Sequence, residues 1–194
     1  MDTDIEALLG RLRQIEDELE QKLEARRAEF RYRMERQKVV FEQAVIARHR
    51  QLRIGLMRFL RDSPLLALVT APAVYALILP LVLLDLSVAL YQRICFPIWG
   101  IARARRADYL VIDRHRLAYL NGIQKLNCVY CGYANGVIAL AHEVASRTEQ
   151  YWCPIKHASR VRGAHERYSR FVEYGDADGF RDRLDELRDL VRKG

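Results

Sequence analysis

Apolar side chains recur at Ile5, Leu8, Leu12, Ile15 and Leu19, in alternating steps of three and four residues. That is the a/d stripe of a coiled coil. Lys22 and Arg26 then occupy the next seam positions, while Leu23, Phe30 and Met34 drift to another face. Asp2, Thr3 and Asp4 supply N-cap oxygens. No proline precedes Pro64, and only Gly10 and Gly55 interrupt helix formation. The pattern predicts one long helix to about residue 62, roughly 90 Å if unbroken. Its narrow apolar stripe suits self-association or a partner helix. A solvated helix folded back on its own chain and a nucleic-acid arm are the alternatives.

The pattern changes at residue 64. Residues 65–84 carry no charge, and the apolar run continues to Ile101 with only Asp85 and Arg93 inside it. Twenty apolar residues match the ~30 Å hydrocarbon core of a bilayer. Sixty-three residues of charged chain precede the run, which excludes a secretory signal peptide. Pro72, Pro80 and Pro97 punctuate it, and basic residues flank both ends, so charge asymmetry selects no orientation for a single span. A membrane hairpin turning near Pro80 or Asp85 places both flanks on the cytoplasmic face; a single span and a soluble core helix are the other readings. Asp85 reads as the interfacial end of the first helix.

Beyond residue 101 the pattern predicts a helix over about 137–150. A last amphipathic helix over about 178–192 presents Phe180, Leu184, Leu187 and Val191 on one face, ready to dock on its own domain or a neighbouring subunit. The chain therefore divides into a charged helix (1–63), a membrane-embedded segment (64–101) and a small helical domain (102–194). The expected fold class is mainly α.

Charge sharpens that division. The chain holds 32 Lys and Arg against 25 Asp and Glu, a net charge of +7. The first segment has 14 basic and 12 acidic residues, the second one of each, the third 17 and 12. With 51% hydrophobic residues, disorder is excluded. Near-cancellation in the first segment disfavours nucleic acid as its partner. Arg61, Arg103, Arg105, Arg106, Arg160 and Arg162 are the candidate contacts to lipid headgroups.

The third segment also carries candidate metal chemistry. Cys128, Cys131, Cys153 and His157 form C-x2-C-x21-C-x3-H. Three thiolates and an imidazole complete a tetrahedral shell, the preference of zinc. The same atoms suit iron or an iron–sulfur cluster, and Cys128 with Cys131 alone would suffice for thiol redox chemistry. One site requires the chain to double back around Tyr151–Pro154. His165 is an alternative fourth ligand, whereas His142-Glu143 lacks the second histidine of a metalloprotease motif. Four protein ligands would close the site and leave no activated water. Cys95 reads as a small buried hydrophobe. The aromatic residues around these positions read as packing, with base stacking beside Arg160, Arg162, Arg167 and Arg170 as the alternative.

Within Leu117–Tyr174, the segments LAYLNGIQKLNCVYCGYANG, RTEQYWCPIKH and FVEYGD resemble a family of bacterial membrane-associated proteins with a CxxC…YWCPIKH segment. The resemblance implies a bacterial source, hence the inner membrane with its soluble parts cytoplasmic. It implies no activity, substrate or partner. These expectations converge on an oligomeric, non-enzymatic membrane scaffold or adaptor with a structural zinc site. An electron-transfer or redox-sensing membrane subunit and a membrane-associated nucleic-acid-binding protein are the alternatives.

Overall fold

The computed structural model describes residues 2–29, 32–35, 38–41 and 43–193, and the side chains of 7–8, 10–25 and 43–193. It is mainly helical and separates into two compact units, residues 1–59 with 116–122, and residues 60–115 with 123–194.

In the first unit, helix α1 spans Asp2–Glu29. Leu8, Leu12, Ile15 and Leu19 are each more than half exposed, so the seam is free of its own chain at those positions. The side chain of Ile5 lies outside the described side chains. The single helix expected to residue 62 ends early. Strands β1 (Tyr32–Glu35) and β2 (Lys38–Phe41) pair antiparallel, with Tyr32 opposite Phe41 and Arg33 opposite Val40. Tyr32, Val39, Val40 and Phe41 are β-branched or aromatic, the residues that favour a strand over a helix. Helix α2 (Gln43–Gln51) follows, and the His49 ring meets Tyr119 edge-on at 5.1 Å. Helix α3 (Leu56–Asp62) straddles the unit boundary.

The second unit is built on an apolar helical run, α4 (Leu65–Ala76) and α5 (Ile78–Trp99). Pro80 sets the break between them. It lacks the N–H that would bond the Ala76 carbonyl, and its ring crowds that carbonyl, so the chain bends at Leu77. The hairpin expected near Pro80 or Asp85 does not form, because α5 runs through both positions. Thirty-five residues extend about 52 Å, which places Arg61 and Arg103 at opposite ends. Gly100 closes α5 in a left-handed conformation, φ 71°, with Ile101 N–H bonding Phe96 O at 2.9 Å.

The connector reverses the chain through α6 (Arg106–Tyr109) and a 3-10 turn at Arg114–Arg116. Helix α7 (Gly122–Trp152) then runs alongside α4–α5. Tyr130 Oη donates to Val74 O at 2.7 Å near one end. Tyr91 and Thr148 share a 2.9 Å hydroxyl contact further along, and Trp99 stacks on Tyr151 at the other end. Ala71, Tyr75, Ile78, Leu81, Asp85, Val88, Gln92, Phe96 and Trp99 form the less exposed stripe, in the three-and-four spacing that one helix face requires.

Two glycines let the connector lie against α7. A Cβ on Gly136 would stand 2.9 Å from Leu110 Cα and from Tyr109 O, and one on Gly132 would stand 3.2 Å from Val111 O. The expected 137–150 helix therefore extends back through both glycines. Helix α8 (Ala177–Lys193) docks through Leu187 and Val191, as its amphipathic pattern predicts. The core joins Phe96, Ile101, Ala104, Leu140, Val144 and Val191. Two of its buried polar side chains are bonded: Gln92 Oε1 accepts from Ala104 N–H at 2.9 Å, and Gln150 donates to Leu187 O at 2.8 Å.

Candidate functional site

The four predicted metal ligands do not meet. Cys128 and Cys131 sit in the first third of α7, Cys153 directly follows its last residue, and His157 lies beyond. Cys131 and Cys153 are 22 positions apart, about 33 Å along a helix. Among the described residues, no group of three or more His, Cys, Asp or Glu is placed to hold a metal ion. A C-x2-C pair converges on one ion most readily in a turn, whereas here both cysteines belong to a continuing helix. Cys131 and Cys153 are exposed, Cys128 and Cys95 are half-buried, and all four are free thiols. His157 is an exposed ring stacked at 6.2 Å on Tyr168, whose hydroxyl accepts from the His157 N–H. His165, the alternative ligand, instead pairs with Glu149, Nε2 to Oε2 at 3.0 Å. In this fold the four residues are spread along and beyond α7 and do not form one site.

The candidate headgroup arginines behave unequally. Arg103, Arg160 and Arg162 are exposed, and Arg61 and Arg105 have only loose ion pairs with Asp62 and Asp108. Arg106 is committed inward. It pairs with Asp85 on α5, and Tyr133 Oη donates to the other Asp85 oxygen at 2.9 Å. Asp85 is thus a buried acceptor joining α5, the connector and α7 rather than a bare helix end.

A polar pocket of about 540 Å³ lies where three elements converge. Helix α7 contributes His142, Glu143 and Arg147 from neighbouring turns. The chain after α7 contributes Ala164, His165, Glu166, Arg167 and Arg170, and α6 contributes Tyr109. Two backbone bonds hold the post-helix loop in place. Lys156 N–H donates to Val172 O at 2.7 Å and Val172 N–H to Pro154 O at 2.9 Å, with Pro154, Phe171 and Val172 buried.

Glu143 organises the wall. Its Oε1 accepts from Arg147 Nε at 2.7 Å and from Arg167 at 2.6 Å. Burial by itself pushes the Glu143 carboxyl upward, but the hydrogen bonds and charges of Arg167 and Arg147 outweigh it and hold the group below the usual glutamate range. Arg147 also donates to Ala102 O at 2.6 Å, tying the wall to the connector. Burial, then the Glu143 charge, raises the Tyr109 phenol. Two wall atoms, Arg167 Nε and His165 Nδ1, are buried and have no hydrogen-bond partner among the described residues. The arrangement contains charged donors and a fixed carboxylate, with no nucleophile–base pair.

The pocket was not legible as a unit, since Tyr109 and Arg170 are 61 positions apart. One local signal pointed to it: Glu143 and Arg147, spaced i,i+4, follow a charge-free run over 126–141. Compared with known proteins, the chain matches no protein family, no curated protein and no solved structure.

Proposed function

We propose that this protein is a membrane-surface scaffold that holds lipid through one face of α4–α5 and presents α1 to a second helix. The carrying observation is the exposure of the apolar run: none of its most apolar 18-residue window is buried. Leu79, Leu83, Leu86, Leu90 and Ile98 are each between 59% and 74% exposed. A continuous apolar surface of this length is not a soluble monomer's surface. The run is long and apolar enough to cross a bilayer, yet the chain beside it favours an in-plane arrangement. Ile112 lies against Gly132, two residues from the Tyr130 that bonds Val74. Charged, exposed Asp113 and Arg114 follow at once. A perpendicular helix surrounded by lipid would carry those charges into hydrocarbon, which costs roughly 3 kcal/mol for each charge near the bilayer centre. A helix lying with its outward face immersed leaves them in water.

The exposed heptad positions on α1 support self-association as the scaffold's second function. The basic flanks and the bacterial resemblance support the cytoplasmic face of the inner membrane. Flotation of the full chain with phosphatidylcholine–phosphatidylglycerol vesicles tests the lipid contact. The wild type floats and Leu83→Glu with Leu86→Glu stays with the soluble fraction; flotation of both alike would refute the assignment.

A further inference from the structure

We propose that the pocket between α6, α7 and the post-helix loop is a binding site for a phosphate-type oxyanion. Arg147, Arg167 and Arg170 bring three guanidinium groups to one cavity, with His142 and His165 beside them. Glu143 is already shared by Arg147 and Arg167, so one carboxylate offsets two guanidiniums. Glu166 is the other acid in the wall. The orphaned atoms are what single out an anion. Arg167 Nε is always a donor, and it is buried with no acceptor among the described residues. A buried donor left unmade is costly, and because the Arg167 side chain lines the cavity, an anion bound there could draw the guanidinium inward and satisfy it. His165 supplies a second such atom. Its side chain is 10% exposed, and its Nε2 is committed to Glu149. Its Nδ1 is buried and has no partner among the described residues.

Glu143 gives the site its rigidity. It fixes the two guanidiniums from opposite walls on one carboxylate oxygen, so they are oriented before any ligand enters. Tetrahedral oxyanions suit this set better than a flat carboxylate, because the donors come from separate elements around the cavity rather than from one planar fork. The volume, about 540 Å³, is several times that of a phosphate ion and leaves room for an attached organic group. That group belongs either to a soluble phosphorylated metabolite or to a lipid headgroup; the oxyanion chemistry is common to both.

Calorimetric titration of inorganic phosphate into the full chain in detergent micelles tests the site. Saturable binding is expected, weakened at least about tenfold by Arg167→Gln and by Arg170→Gln. Arg181→Gln, exposed on α8 and outside the pocket, leaves it unchanged. Arg170 serves as the second variant because it does not hold Glu143, so its loss spares the wall. A parallel arm measures binding to phosphatidylcholine vesicles with and without phosphatidic acid. An Arg170-dependent gain on phosphatidic acid assigns the headgroup; phosphate binding without that gain assigns a soluble ligand. Absence of saturable binding to both probes, or equal losses in Arg181→Gln and Arg170→Gln, would overturn the proposal. Leu83 and Leu86 are exposed and do not line the pocket, so phosphate titration of the Leu83→Glu, Leu86→Glu variant separates this site from the lipid-contact reading.

Discussion

Gly136 offers a sharp test of how the second unit is held together. Replacing it with alanine adds one methyl group, which in an exposed helix interior stabilises by about 1 kcal/mol. Here that methyl would lie 2.9 Å from Leu110 Cα, Leu110 Cγ and Tyr109 O, two of them backbone atoms. The connector must then retreat from α7, and overpacking of this kind costs about 1–3 kcal/mol. The balance is a net loss of about 0–2 kcal/mol for Gly136→Ala. Gly132→Ala, 3.2 Å from Val111 O, should come out near neutral. Gly10, with nothing within 4 Å, should return the full helical gain as increased α1 helicity by circular dichroism. The two tryptophans, Trp99 and Trp152, both report on the second unit, so guanidinium unfolding followed by fluorescence isolates it. If Gly136→Ala raises the unfolding midpoint, the connector does not pack on α7 as described.

Other expectations follow from the buried charges and the thiols. Glu143→Gln should destabilise the second unit by about 2–3 kcal/mol at neutral pH, measured by the same unfolding curve. Because the folded Glu143 carboxyl is held below its ordinary value, its contribution is full above the usual glutamate range and is lost as pH falls towards the folded value. Wild type and Glu143→Gln should therefore converge in stability on acidification, and a constant gap would contradict this. Asp85→Asn should cost about 1 kcal/mol, because the half-exposed Arg106 regains water, and Asp85→Leu with Arg106→Leu should recover much of it. Cys131→Ser and Cys153→Ser should each leave the midpoint within about 0.5 kcal/mol, and a chelator should leave it unchanged. Unfolding by the chelator would restore a structural metal site.

The apolar run over 65–84 was readable because twenty charge-free residues are unmistakable in any context. Its inward stripe was present in the spacing too, but a helix rich in leucine all round does not show which face is covered. Tertiary contact decided that, through Tyr75, Tyr91 and Trp99. The metal expectation rested on cysteine spacing, and among the described residues no group is placed to hold an ion. Gly132, next to Cys131, serves with Gly136 the close approach of residues 109–112. That partner is distant in sequence, so nothing near the cysteines revealed it. The end of α1 at Glu29 reflects a different competition, in which β-branched residues in KVVF outweigh an otherwise helix-forming background. The polar pocket depends on three separated segments, and only its Glu143–Arg147 step was visible locally.

The immersion depth of α5 tests the central claim most directly. Nitroxide labels at Leu79, Leu83, Leu86, Leu90, Ile94 and Ile98, read in liposomes by oxygen against nickel-complex accessibility, report depth residue by residue. The lipid-contact reading predicts that all six outward positions are oxygen-accessible at one similar shallow depth. Labels readily reached by the nickel complex would contradict lipid contact, and depth changing steadily by about 1.5 Å per residue would replace the in-plane helix with a crossing one.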